Sequence, residues 1–263
     1  MTKKIQMIVC TTLIVAVNLL TLLTLVACDD FFSTSWGEAR EYELSKINLT
    51  VDNLEDWKGK AAGNPDLAAK LVDKIINGLD GKSGAEKAAF QTAGIELAIE
   101  QSGIGTTIVE LAGKDISNIK DEDGLKDLLS SVQGKFSGDA AAGNIATIAL
   151  ASNLTGGDTT PSFSQNDPYM AQASASDVGM AVVVLALSLA PENVSSYDKL
   201  EESLPNLEIT GNEGNREVSV KSGSTPSPEE KALAAYLNLI ANDTTGKYEK
   251  NPITSGLKSA FNL

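Results

Sequence analysis

The chain is 263 residues long, carries 35 acidic against 21 basic side chains for a net charge of −14, and contains two cysteines and no histidine. A surface this acidic repels nucleic acid and anionic headgroups, and the missing imidazole excludes Ser-His-Asp and Cys-His catalysis and histidine-ligated transition metals. With 42% hydrophobic and 21% charged residues the composition is globular, and any catalysis is left to Asp, Glu, Lys, Tyr or Ser, or to hard cations such as calcium.

Lys3 and Lys4 precede a stretch without charge from Gln6 to Ala27, which ends in Leu25-Val26-Ala27-Cys28 and runs at once into Asp29 and Asp30. A basic start, an apolar middle and a small residue before the cut define a secretory signal, here residues 1–27. The Cys directly after the cut resembles the lipobox of bacterial lipoprotein precursors, with Val26 standing where Ala, Ser or Thr is commoner. That resemblance implies cleavage between Ala27 and Cys28, a diacylglycerol on the Cys28 sulfur and a fatty acid on the new amino terminus.

Three other readings compete: an uncleaved membrane helix over Ile8 to Ala27, an ordinary cleaved signal that leaves Cys28 as a free thiol, and a Cys placed there by chance. Cys10 lies in the segment to be removed, so lipidation is the reading that gives Cys28 a role. Loss of Lys3 and Lys4 takes the net charge from −14 to about −16. Asp29 resembles the inner-membrane retention signal of enteric bacteria, a rule other lineages do not obey, so the expected location is the cell membrane or outer membrane, facing periplasm or exterior. The opening from Cys28 to Gly37 is similar to that of treponemal lipoproteins of unknown role.

Residues 28–60 read as anchor and tether. Phe31, Phe32 and Trp36 are candidates for the water–lipid interface, with packing back onto the domain the slightly favoured alternative. Ile47, Leu49 and Val51 alternate with polar residues and predict a short strand. A first helical group is expected over 61–155. It opens with Asn64 as N-cap, Pro65, and Leu67, Leu71, Ile75 and Leu79 at turn spacing. A second helix starts from a Ser83–Glu86 capping box and runs to about Gly103. A weaker one covers Thr106 to Leu111, a fourth carries Leu125, Leu128, Leu129 and Val132, and an Ala-rich fifth spans Ala140 to Leu154.

Gly, Thr, Pro, Ser and Asn over 156–173 predict a linker or long loop, and a second helical group follows over 174–263. Ser174 and Asp177 cap an uncharged run, Val178 to Ala190, that is too short to span a bilayer and reads as a buried central helix. Ser195 and Asp198 cap another helix, which ends at Pro205. Leu207–Ile209 and Val218–Val220 flank Gly211-Asn-Glu-Gly214-Asn, a hairpin near 207–221. Ser227, Pro228 and Glu230 open the last long helix, with Leu233, Tyr236, Leu237 and Ile240 as its buried stripe. The fold class expected is mainly α, a multi-helix bundle or helical-hairpin array with a small β-hairpin.

Short motifs dissolve on inspection. Gly81-Lys82-Ser83 lacks the first P-loop glycine and follows a helix, and Gly103-Ile-Gly105 lacks the third glycine of a dinucleotide fingerprint. Asp121-Glu-Asp123-Gly124 fails the register of a calcium loop and reads as an acidic helix start. Ser196–Lys199, Ser117–Lys120 and Ser255–Lys258 each fit Ser-x-x-Lys, and Lys221-Ser-Gly223 resembles a later Lys-Thr-Gly, but three matches and no Ser-x-Asn indicate coincidence. Glu96 and Glu100, four apart on one helix, read as a solvated strip ahead of an acid–base pair.

These features predict a lipid-anchored, non-catalytic cell-envelope protein that presents a helical surface for protein or small-ligand binding, with no cofactor, no metal and no nucleic acid. Its partners are then the membrane, through the anchor, and an envelope protein. A first alternative rests on Gly63 to Lys74, which looks distantly like the start of a helical hairpin in the T-component lipoproteins paired with TRAP-type transporters. A second is a carboxylate-based envelope hydrolase.

Overall fold

The computed structural model describes residues 39–104, 139–164, 166–189, 204, 206–212 and 215–263. Two units are distinguished, Met1–Asn48 and Leu49–Leu263. In the first, residues 39–46 are helical, and the Lys46 ammonium lies 5.3 Å from the centre of the Tyr42 ring. Ala27, Cys28, Phe31, Phe32 and Trp36 lie outside the described residues, as do the helices expected at Thr106–Leu111, around Leu125–Val132 and from Ser195.

Among the described residues the second unit is mainly α with two small antiparallel sheets. Its helices are α1 (Val51–Ala61), α2 (Pro65–Gly78), α3 (Gly84–Gln101), α4 (Asp139–Leu150), α5 (Pro168–Gln172), α6 (Ala175–Leu189), α7 (Pro228–Ala241) and α8 (Pro252–Ala260). Strands β1 (Leu154–Thr155) and β2 (Ser162–Phe163) pair with each other, and β3 (Leu207–Asn212) pairs with β4 (Asn215–Val220). The hairpin register sets Leu207 against Val220 and Ile209 against Val218, as the flanking apolar triplets predict.

Helix α6 is the centre of the core. Val178 and Val182 to Leu185 are fully buried, and α3, α4, α7 and α8 pack around them. Three consecutive valines disfavour an isolated helix, but full burial of each side chain contributes roughly 1.5–3 kcal/mol and outweighs a propensity deficit below about 1 kcal/mol. Close approach depends on glycine at two crossings. A Cβ on Gly94 of α3 would stand 2.7 Å from Ile148 Cδ1 of α4, and one on Gly179 of α6 would stand 2.9 Å from Ile253 Cγ2 of α8. Gln91 closes the end of α4 from inside the core, its Nε2 donating to the Ile148 carbonyl at 3.0 Å and to Ser152 Oγ at 2.8 Å.

Predicted caps hold at several starts. Asn64 Oδ1 accepts from Leu67 N at 3.1 Å, Ser174 Oγ from Asp177 N at 3.0 Å, and Ser227 and Glu230 form the reciprocal box. The Ser83–Glu86 box does not form: the Ser83 side chain makes no cap bond, and Glu86 pairs instead with Lys82 at 2.5 Å.

One expectation along the chain is corrected. The strand predicted from Ile47, Leu49 and Val51 is absent; Thr50 is the N-cap of α1, with Asn53 Oδ1 accepting from Thr50 N at 2.9 Å. Leu49 and Leu54 occupy the positions of a hydrophobic staple and both are buried, while Val51 points outward at 46% exposure. The alternation was a helix entry, and the compact unit begins at Leu49, inside the expected 28–60 tether.

Of the two readings of 156–173, a linker or a long loop, the structure shows a loop packed into the unit. It contains β2 and α5, and it sends Phe163, Tyr169 and Ala173 into the core. The two expected helical groups therefore form one unit. Glycine sets the turn that makes this possible: Gly156 has φ +78°, and a Cβ there would lie 1.9 Å from the Thr160 carbonyl oxygen.

Candidate ligand-binding cavity

Helix α7 carries the scaffold of the site. At its start, the buried Glu230 accepts from Ser227 N and from Asn206 Nδ2, each at 2.8 Å, which fixes the foot of the β3–β4 hairpin to the helix. Further along, Asn238 is 1% exposed. Its Oδ1 accepts from Val218 N at 2.7 Å, and its Nδ2 donates to the Val218 and Pro161 carbonyls, each at 2.9 Å. Val218 lies on the side of β4 that faces away from β3, where Val220 N also donates to the Thr159 carbonyl at 2.7 Å. One side-chain amide thus serves as a strand for an edge that would otherwise be buried without partners.

Beyond α7 the chain turns through Asn242 to Tyr248. Asp243 organises the turn: Oδ1 accepts from Thr245 N at 2.9 Å and Thr245 Oγ1 at 2.7 Å, and Oδ2 accepts from Tyr248 N at 2.7 Å. Burial works to raise the pKa of this carboxyl, but these hydrogen bonds and the Lys258 charge outweigh it and hold the group below its ordinary value. Lys247 reaches back to α5, donating to the Ala173 carbonyl at 2.6 Å and the Met170 carbonyl at 3.3 Å, where a helix end presents free carbonyls.

These segments border a cavity of about 690 Å³, open to solvent on one side, lined by Thr155, Ser162, Phe163, Ser164, Met170, Asn238, Leu239, Asn242, Asp243, Thr244, Thr245, Lys247 and Tyr248. That is within the range of about 300–1,000 Å³ usual for small-molecule sites. Behind Phe163 lie two fully buried tyrosines, Tyr169 and Tyr236, whose hydroxyls are 2.8 Å apart and whose ring centres are 5.9 and 4.9 Å from that of Phe163. Burial pushes both phenols well above their ordinary pKa, and burial together with the Asp243 charge raises Tyr248 to about 12. All three keep their protons near neutral pH and do not serve as bases there; Tyr169 and Tyr236 hydrogen-bond each other.

The paired carboxylates weighed in the sequence are elsewhere. Glu96 pairs with Lys58, which also holds Glu55 at 3.0 Å, and Glu100 is exposed; neither lines the cavity. Burial lowers the Lys58 pKa, yet its two carboxylate partners outweigh this and the net shift is upward. Lys258 of one Ser-x-x-Lys match pairs with Glu249 at 3.1 Å, while Ser196–Lys199, Ser117–Lys120 and Asp121–Gly124 lie outside the described residues. Among the described residues there is no cluster of three or more metal-ligating side chains, and no helix is long and apolar enough to cross a membrane.

Sequence reasoning passed over Asn238, Tyr169 and the 242–248 turn. Asn-Asp-Thr-Thr-Gly after an apolar helix is a strong turn signal. Asn238 announces itself only as a polar residue between Leu237 and Ile240. Comparison with protein-family models, with curated proteins and with solved structures returns no match.

Proposed function

We propose that this chain is a lipid-anchored protein of the bacterial cell envelope, attached through Cys28, whose helical unit binds a small ligand in the cavity beside α7 without transforming it. The observation that carries the reading is the Leu25-Val26-Ala27-Cys28 run after Lys3, Lys4 and an uncharged apolar stretch. Cys10 lies within that stretch, so an exported Cys28 has an anchoring role and no intramolecular partner. A single acyl chain holds only marginally, and the two or more chains that the lipobox resemblance implies provide stable attachment.

The ligand-binding half rests on the cavity itself. Its two charged side chains are engaged within the protein, and the tyrosines in and behind it hold their protons, so its groups suit binding better than proton transfer. Glu96 and Glu100, the carboxylates a hydrolase reading needs, are on a different face, which ranks that alternative lower.

The test is to label expressing cells with an alkyne fatty acid and to fractionate wild type and Cys28→Ala. Label and membrane association should both vanish in the variant. Membrane association that persists without label would refute lipid anchoring and make residues 8–27 a retained helix.

A further inference from the structure

We propose that the cavity selects a neutral saccharide, one or two sugar units in size. This deepens the ligand-binding reading above and rests on it. Among the described residues the cavity lining holds one anion and one cation, and both are engaged internally. Asp243 accepts from Thr245 and Tyr248, and Lys247 donates to two carbonyls at the end of α5. A charged ligand would leave water here without gaining a partner, which costs far more than burying a hydroxyl that finds one.

Asn238 also offers no donor, since both its amide hydrogens are already given to carbonyls. What remains is neutral and polar. Ser162, Ser164, Asn242 and Thr244 are among the lining residues, Asn242 and Thr244 at its exposed rim, and their side chains take no part in hydrogen bonds among the described residues; neither does the Tyr248 hydroxyl. Residues with hydroxyls and an amide, each able to donate and accept, share the lining with Phe163, Met170, Leu239 and Tyr248. A ligand that fits carries several hydroxyl groups and a C–H face. That is the chemistry of a sugar ring, and it is neither that of a lipid nor that of a zwitterionic amino acid. The volume of about 690 Å³ accommodates a mono- or disaccharide.

The experiment is thermal unfolding of the full-length chain in detergent with three sets of probes at millimolar concentration. They are neutral sugars (methyl glucoside, maltose, N-acetylglucosamine), their charged counterparts glucuronate and glucosamine, and free leucine. Each set is repeated on Ser162→Ala/Ser164→Ala/Asn242→Ala, which removes three uncommitted polar groups and no hydrogen bond within the described fold. A neutral sugar at a hundred times its Kd should raise Tm by about 5–10 °C in wild type, with the shift lost in the triple variant and the charged counterparts inert. A charged sugar or leucine that binds as well, and loses binding in the triple variant, would overturn the saccharide assignment and leave the cavity as the binding site. No shift from any probe that depends on the triple variant would overturn the saccharide assignment and the ligand-binding role of the cavity together, leaving the anchor to be judged by fatty-acid labelling.

Discussion

Replacing Asn238 tests the claim that one amide holds the hairpin and the 159–161 segment onto α7. Asn238→Leu removes three hydrogen bonds, at 2.7, 2.9 and 2.9 Å, and leaves the Val218 N–H, the Val218 carbonyl and the Pro161 carbonyl without their partner. Each buried backbone group left unpaired costs about 1–3 kcal/mol. Water from the adjacent cavity will satisfy part of this, and the added apolar burial returns roughly 1–2 kcal/mol, so the net loss is about 2–4 kcal/mol. Against a total stability of about 5–15 kcal/mol that is a large fraction.

Asn238→Asp separates hydrogen bonding from shape. It keeps an acceptor for Val218 N–H but turns a carboxylate toward two carbonyls, so it should destabilise more at pH 8 than at pH 5, where partial protonation restores a donor. Urea unfolding followed by far-UV circular dichroism, at both pH values and with m compared between variants, measures each difference. If Asn238→Leu came within 0.5 kcal/mol of wild type, or if the Asp variant showed no pH dependence beyond that of wild type, the amide would not be the tie described here.

Three further outcomes follow from the packing and the ionisable groups. Gly94→Ala should cost about 1–3 kcal/mol because the new methyl meets Ile148 Cδ1. Ile148→Val removes that atom, so the double variant should be less destabilised than the sum of the singles in a mutant cycle. The raised phenol pKa values mean the folded state binds more protons than the unfolded state above pH 10. Stability is therefore complete below the unfolded value near 10 and falls as pH rises toward the folded values, by up to about 1.4 kcal/mol per pH unit for each of Tyr169, Tyr236 and Tyr248. Urea midpoints measured from pH 9 to 11.5 should show this slope, and Tyr169→Phe/Tyr236→Phe should flatten it. Glu96→Ala, by contrast, breaks a pair whose side chains are 22% and 35% exposed, so it should cost less than about 1 kcal/mol and lose most of that effect in 1 M salt.

Where a signal was local, the sequence exposed the structure. The Asn64-Pro65 start, the Ser227–Glu230 box and the Leu67-Leu71-Ile75 stripe are each decided within a turn or two of helix, and each stands as read. The misreadings occur where a local pattern has two solutions. Leu49-Thr50-Val51 alternates like a strand, yet Leu54, Trp57 and Ala61 downstream supply a helical stripe that only burial selects. Residues 156–173 read equally as a linker or a long loop by composition, because Gly, Ser and Pro mark turns whether or not the turn is packed. Nothing local reveals that Phe163 and Tyr169 meet Tyr236, which lies 67 residues beyond Tyr169.

The same physics explains why a cavity forms there at all. Segments 154–164 and 242–248 and the β3–β4 hairpin are short of regular partners for their backbone groups, and a buried backbone must find them. Here the partners come from polar side chains at few points: Asn238 for Val218 and Pro161, Asp167 for Asn153 at 3.1 Å, Asp243 for Tyr248 and Lys247 for α5. Pinning loops at isolated points leaves space between the pins that apolar packing does not fill, because serines, threonines and asparagines stand among the Phe163, Met170, Leu239 and Tyr248 that border it. An Ala-rich helix pair such as α3 and α4 closes on itself through Gly94. The C-terminal half of α7, surrounded by pinned loops, stays open, and among the described residues it leaves the space on which the proposed ligand site rests.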